Sequence, residues 1–268
     1  MSFAKVAAGY LLQFTDLVDF VVAADGSMVS CYPQADVPPQ TIYHLLLNQV
    51  LPVVLSHRGH MVLHAAASIL PQGAAAFMGV GGMGKSTLSA SLGLQGYPII
   101  TDDCLLIEER AGGIVGLPSY AGSRLWQESV AALCMDGSAL RPVAHYTDKQ
   151  RLLLTQAQLG EPVALRAVYV LAEPAGAPQT ADVNIAPMGT HGAFLECIQH
   201  AFQLDITDQA RLGHTFRRVE QLVKAVPFFW LIYPRDFALL PRLHQAILEH
   251  LDQIVCTDPE DSRPLMPA

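Results

Sequence analysis

Apolar and polar positions change their period several times along the chain, and each change marks an element. β-prone runs on either side of a turn at 24–26 predict a hairpin over 10–32, and the segment PQADVPPQ leads from it into an amphipathic helix over 41–56. MVLHAAASI and GAAAFMG are near-continuous apolar runs separated by LPQG, the pattern of two strands buried on both faces. Between 61 and 84 the only titratable side chain is His64, so by length alone this stretch suits a membrane span; Pro71, Gln72, Gly73 and the later glycines favour two strands and a turn. A helix over 85–95 ends at Gly96, and the strand YPIIT runs into Asp102 and Asp103. A second hairpin from CLLIEE to IVGLP turns at Gly112 and Gly113, followed by a helix over 125–134 and a polar connector over 136–151. Strands at AVYVLAE, DVNIAP and FFWLIYP alternate with helices over 192–202, 208–225 and 237–254. The sum is an α/β fold, a mixed sheet flanked by helices.

Composition narrows the function classes. Over half of the residues are hydrophobic and only 15% are charged, which specifies a globular chain able to bury a core without disulfide or metal staples. A formal charge of −8 with only four lysines argues against nucleic acid as a partner, because neutralising phosphates requires a surplus of Lys and Arg. The five cysteines are scattered without a C-x-x-C pair, indicating neither a disulfide framework nor a zinc site. The first residues carry no signal-peptide pattern, so the expected location is the cytoplasm and no membrane partner is expected. Three segments are expected: a hairpin and helix lead-in over 1–58, a main domain over 59–256, and a loose Pro-rich tail over 257–268.

One motif carries chemistry. Gly79, Val80, Gly81, Gly82, Met83, Gly84, Lys85 and Ser86 match G-x-x-x-x-G-K-[ST] at every required position, with Thr87 next. Glycines allow loop amides to point inward at phosphate oxygens while the following helix presents its positive end. Lys85 supplies a point charge to the transferring phosphates, and Ser86 a hydroxyl for Mg²⁺. A buried strand before the loop and a helix after it are the context the motif requires; the plain alternative is a glycine-rich turn that binds nothing. Asp102 and Asp103 leave a nearby strand with carboxylates for the metal and for an incoming hydroxyl. On this reading Ser86 and Asp103 hold Mg²⁺ and Asp102 is the base, an assignment the sequence leaves open to reversal. The plain alternative for either Asp is a helix or turn cap.

LHAAAS, the glycine-rich loop and GYPIITDD together resemble the C-terminal kinase domain of HPr kinase/phosphorylase and its small relatives, closely from about 60 to 109 and more weakly beyond. The resemblance implies a P-loop inserted in a sheet related to that of phosphoenolpyruvate carboxykinase, ATP and Mg²⁺ as cofactors, and a serine of a protein or peptide as acceptor. His64, Lys85, Ser86, Asp102 and Asp103 match the family positions. The chain departs where the bifunctional enzymes carry Glu-x-Arg-Gly-Leu-Gly, having Gly122-Ser123-Arg124-Leu125-Trp126-Gln127-Glu128-Ser129 instead. That departure argues against phosphorylase activity and against HPr as acceptor, and favours peptide maturation, including phosphorylation of a lasso-peptide precursor on its C-terminal serine.

Other candidates carry less. His64 alone on an apolar strand reads equally as a core residue. Arg124, Lys149 and Arg151 flank the connector, where positive charge would serve a phosphoryl group or an acidic substrate, or simply face solvent. Arg211, Arg217 and Arg218 suit a substrate or homo-oligomer contact, against a default of a solvated helix face. Trp126 and the FFW run at 228–230 read as core. Rival functions are a kinase for a small molecule such as free serine, a non-catalytic ATP-sensing subunit, and, remotely, phosphoenolpyruvate carboxykinase activity.

Overall fold

The computed structural model describes residues 2–119, 122–133, 135, 140–152, 161–173 and 182–257. The tail beyond 257 lies outside them. At the N-terminus β1 (Ser2–Val6), β2 (Gly9–Phe14), β3 (Val18–Ala23) and β4 (Val29–Pro33) pair in chain order as an antiparallel meander. The expected hairpin over 10–32 is the inner part of this sheet: the turn at 24–26 joins β3 to β4, and a tighter turn at 15–17 separates β2. The helix that follows has three parts, α1 (Pro39–Leu45), a π turn (Leu46–Val50) and α2 (Leu51–His57). Pro52 has no N–H for the helical ladder, and the wider π turn falls immediately before it. Leu12, Phe20, Leu45, Val50 and Val54 close this sheet and helix around a hydrophobic cluster, into which Leu204 also packs.

The main sheet is mixed and contains nine strands among the described residues. They are β5 (Met61–Leu63), β6 (Ala66–Leu70), β7 (Gly73–Met78), β8 (Ile99–Thr101), β9 (Leu105–Arg110), β10 (Gly113–Leu117), β14 (Val163–Ala172), β15 (Asn184–Pro187) and β16 (Phe228–Ile232). The single strand expected over 61–69 is two. β5 pairs with β9, whereas β6 pairs with β7 and β8, and His64 occupies the crossover between them. β14 runs parallel to β7 on one side, and on the other meets β10 with its first half and β16 with its second.

Burial alternates along the central strands but leaves neither face wet. Ala74, Ala76 and Met78 of β7 pack with Val168 and Val170 against α5 (Thr190–His200) and α6 (Gln209–Ala225), through Ala193, Cys197, Val219 and Leu222. Ala75 and Phe77 pack with Ala167, Tyr169 and Leu171 against α3 (Lys85–Leu94) and α7 (Leu240–Thr257), through Leu88, Leu92, Leu243 and Ile247. Period-2 geometry thus explains a strand that reads as a continuous apolar run.

The helix expected over 125–134 and the connector over 136–151 are not what forms. β11 (Ser123–Leu125), β12 (Leu140–Ala144) and β13 (Thr147–Leu152) make a three-stranded antiparallel sheet, and α4 (Gln127–Ala132) is only a short helix. Cys134 and residues 136–139 lie outside the described residues. The strands are short and rich in polar residues, so their stability comes from pairing across the sheet and from Leu125 and Leu152, which pack on Ala90 of α3.

Between α3 and α7, Ser91 Oγ donates to Leu88 O (2.8 Å) and lies 2.7 Å from His244 Nε2, while the buried Nδ1 of His244 has no hydrogen-bond partner among the described residues. Burial holds the imidazole down to about 4, against an ordinary 6.5. Over that interval the unfolded chain takes up a proton that the native state refuses, so stability contributed by neutral His244 is lost as pH falls. The free energy separating wild type from His244→Gln should therefore narrow between pH 6.5 and 4, by roughly 1.4 kcal/mol per pH unit at most. Urea unfolding across that range tests it, and parallel pH profiles for the two proteins would refute the assignment.

Candidate active site

The strand order places the chemistry on one edge of the main sheet. β6 lies between β7 and β8 and is antiparallel to both, so β7 and β8 point the same way. The end of β7 (Gly79), the end of β8 (Asp102 and Asp103) and the start of β6 (preceded by His64) consequently share an edge.

Residues 79–84 cross this edge as a loop. Gly84, at φ +94°, turns the chain into α3, a conformation that any side chain would strain. Gly81 has neither a positive φ nor, among the described residues, an atom within 4 Å of where a Cβ would stand, so neither backbone nor their packing demands glycine there. A side chain would instead intrude between the loop and anything seated on it. α3 begins without a side-chain cap and without an acidic residue in its first turn, leaving its first amides directed to the cavity. Lys85 is buried, and its Nζ donates to Gly79 O (2.6 Å) and Val80 O (3.3 Å); burial lowers its pKa, with Asp103 and Asp102 opposing that shift. The Tyr233 hydroxyl donates to Met83 O (3.3 Å) and pins the loop from just past the end of β16. Thr87 Oγ1 lies 2.8 Å from Ser129 Oγ, tying α3 to α4.

The aspartates face different ways, as adjacent residues at a strand end must. Asp102 is 1% exposed; its Oδ2 accepts the Arg124 backbone N–H (2.8 Å), and Oδ1 has no hydrogen-bond partner among the described residues. Desolvation raises its carboxyl to about 6, with the Arg124 charge and the Ser86 hydroxyl pulling the other way. Asp103 lines the cavity, ion-paired through Oδ2 to Arg124 Nη2, with Oδ1 3.4 Å from His64 Nδ1. Arg124 therefore bridges the pair, its Nε 3.9 Å from Asp102 Oδ2. The His64 imidazole also lies 3.2 Å from Asp103 O, and burial depresses its pKa despite the neighbouring carboxylate.

A cavity of about 470 Å³ joins these groups. Its wall includes His64, Gly81, Gly82, Met83, Gly84, Lys85, Ser86, Thr87 and Asp103; Gly79 and Asp102 stand behind it, one bonded to Lys85 and the other to Arg124. Of the basic candidates, Arg124 and Lys149 line the cavity. Arg211, Arg217 and Arg218 do not, and Arg211 is held by Asp208 and His57 O. Trp126, read from sequence as core, is 50% exposed and forms part of the wall, whereas Phe228 is core as expected. Sequence reasoning also missed Gln49, Tyr233, Asp236 and Phe237 in the wall. The one available signal was Pro52, which marks the π turn that carries Gln49.

No protein-family model matches the sequence, and no curated protein matches it. Among solved structures, the chain is similar to the HPr(Ser) kinase/phosphatase from Coxiella burnetii, at 15% identity and a TM-score of 0.38 over 74% of this chain and 98% of that one. So distant a likeness adds nothing to the site's own geometry. No described helix is long and apolar enough to cross a membrane.

Proposed function

We propose that the chain is an ATP- and Mg²⁺-dependent kinase that transfers the γ-phosphoryl group to a serine hydroxyl of a peptide or protein. The observation supporting this reading is the meeting, in one cavity, of the Gly81–Gly84 loop and the start of α3 with Asp103 and Arg124, which also bridges to Asp102 behind the wall. Loop amides and Lys85 serve an anion with several oxygens, and Asp103 faces the same space as a base. A purely sensing subunit would not require that carboxylate.

The donor set fits Mg²⁺, a hard ion that takes oxygen ligands and keeps several waters. Asp102 Oδ1 is buried with no hydrogen-bond donor among the described residues, and Ser86 neighbours the same carboxyl. On this geometry Ser86 and Asp102 are the residues that would hold the ion, exchanging the aspartate roles expected from sequence. Bound there, Mg²⁺ would neutralise charge on the phosphate oxygens. Asp103 accepts the acceptor's proton, and Arg124 holds that carboxylate in place. His64 positions Asp103 from the other side. Burial of Lys85, Asp102, Asp103 and Arg124 strengthens the interactions among them.

The acceptor follows from the resemblance of the loop and Asp-pair segment: a peptide serine, including the C-terminal serine of a lasso-peptide precursor. Incubating the chain with γ-labelled ATP, Mg²⁺ and serine-ended peptides should yield labelled phosphoserine. Label passing to free serine but to no peptide would replace this reading with the small-molecule kinase, and ATP binding without any transfer would leave the sensor.

A further inference from the structure

The three-stranded sheet brings a second ammonium to the cavity. Lys149 lies on β13, two residues before Arg151 and on the same face, and Arg151 stands directly opposite Arg124 of β11. Like charges opposite one another in a sheet repel, and on this face the Arg124 charge is met by the carboxylate pair. The cavity's other cations from outside the loop have carboxylate neighbours, Asp102 and Asp103 for Arg124 and Glu173 for Arg235. Lys149 instead holds its Nζ 4.7 Å from the centre of the Trp126 ring. An aromatic face attracts the ammonium but leaves its N–H donors available to a ligand. Its pKa is lowered, by burial first and then by the Arg124 charge, while Asp103 and Asp102 oppose the shift, which places it in the field of the carboxylate pair.

We propose that Lys149 seats the γ-phosphoryl group from the three-stranded sheet while Lys85 reaches the phosphates from the loop, with Trp126 as the platform that holds Lys149 in reach; this rests on the kinase reading above. In the transfer, the acceptor oxygen bonds to the γ-phosphorus, the bond from that phosphorus to the β,γ-bridging oxygen breaks, and its electron pair leaves with ADP. The acceptor's proton goes to Asp103. Lys149 keeps its protons and pairs with the non-bridging γ-oxygens throughout.

Such a seat distinguishes ATP from ADP without any acceptor present. Calorimetric titration of the full chain with Mg²⁺ and either β,γ-imido-ATP or ADP compares wild type with Lys149→Met and Lys149→Arg. The Met variant should bind the ATP analogue about tenfold more weakly or worse, with ADP affinity unchanged within about twofold, and Arg should recover most of the loss. ADP binding serves as the folding control. Equal weakening for both nucleotides, no weakening for either, or an Arg variant as poor as Met would overturn the proposal while the kinase reading stands. A wild-type chain that binds neither nucleotide would overturn both.

Discussion

Asp103→Asn is expected to slow phosphoryl transfer to a serine acceptor by about 10²- to 10⁴-fold, the usual contribution of a positioned base, while Mg·ATP affinity stays within about threefold. The amide is isosteric and still reaches Arg124, but it has no lone pair basic enough to take the acceptor's proton. Arg124 remains anchored by Asp102, so the wall should hold its shape. Asp102→Asn should behave differently: its carboxyl stands behind the wall beside Ser86, and its loss should weaken Mg²⁺-dependent nucleotide binding before it alters the chemical step. Single-turnover transfer and nucleotide affinity, measured on both variants, separate the roles. If Asp103→Asn transfers at the wild-type rate and Asp102→Asn binds normally but does not transfer, the roles are those first read from the sequence.

The second large effect belongs to Lys85. Lys85→Met should lower affinity for Mg·ATP by about 10- to 100-fold, since a charge-assisted hydrogen bond to phosphate contributes about 1.5–3 kcal/mol and each 1.4 kcal/mol is tenfold. Methionine keeps the stem that packs under the loop, while Gly79 O and Val80 O lose their donor. Some loosening of the loop is therefore part of the expected loss, and far-ultraviolet circular dichroism should show the fold retained. Displacement of a fluorescent nucleotide by ATP measures the effect. Wild-type affinity in Lys85→Met would mean that the loop is a turn and not a phosphate cradle.

The parts of the site that could be read from sequence are those made by local chain. The spacing from Gly79 to Ser86, an apolar strand before it and a helix after it are contiguous, and the structure has β7, the loop and α3 there. The Asp pair was equally visible because YPIIT is a short β-prone run with a charged end. What escaped depends on distant partners. β6 inserted between β7 and β8, and the change of partner strands at His64, follow from pairings that an all-apolar run does not encode. β11 has three residues, and β12 and β13 carry charges where an alternating apolar pattern would have marked strands, so a sheet read as a connector. The charges of Arg124 and Lys149 obscured the strands because both side chains serve the cavity wall. Trp126 read as core because aromatic residues usually are. At the N-terminus, β1 is exposed along its whole length, and with no buried face it left no periodic trace.

All of these assignments depend on a magnesium-bound triphosphate resting on the amides between Val80 and Thr87. Isothermal titration of the wild-type chain with ATP, once with Mg²⁺ and once with EDTA, tests this most directly. Saturable binding of one nucleotide per chain is predicted with a dissociation constant of about 1 mM or below, clearly weaker when the metal is chelated. A flat titration into the millimolar range with Mg²⁺ present would contradict it.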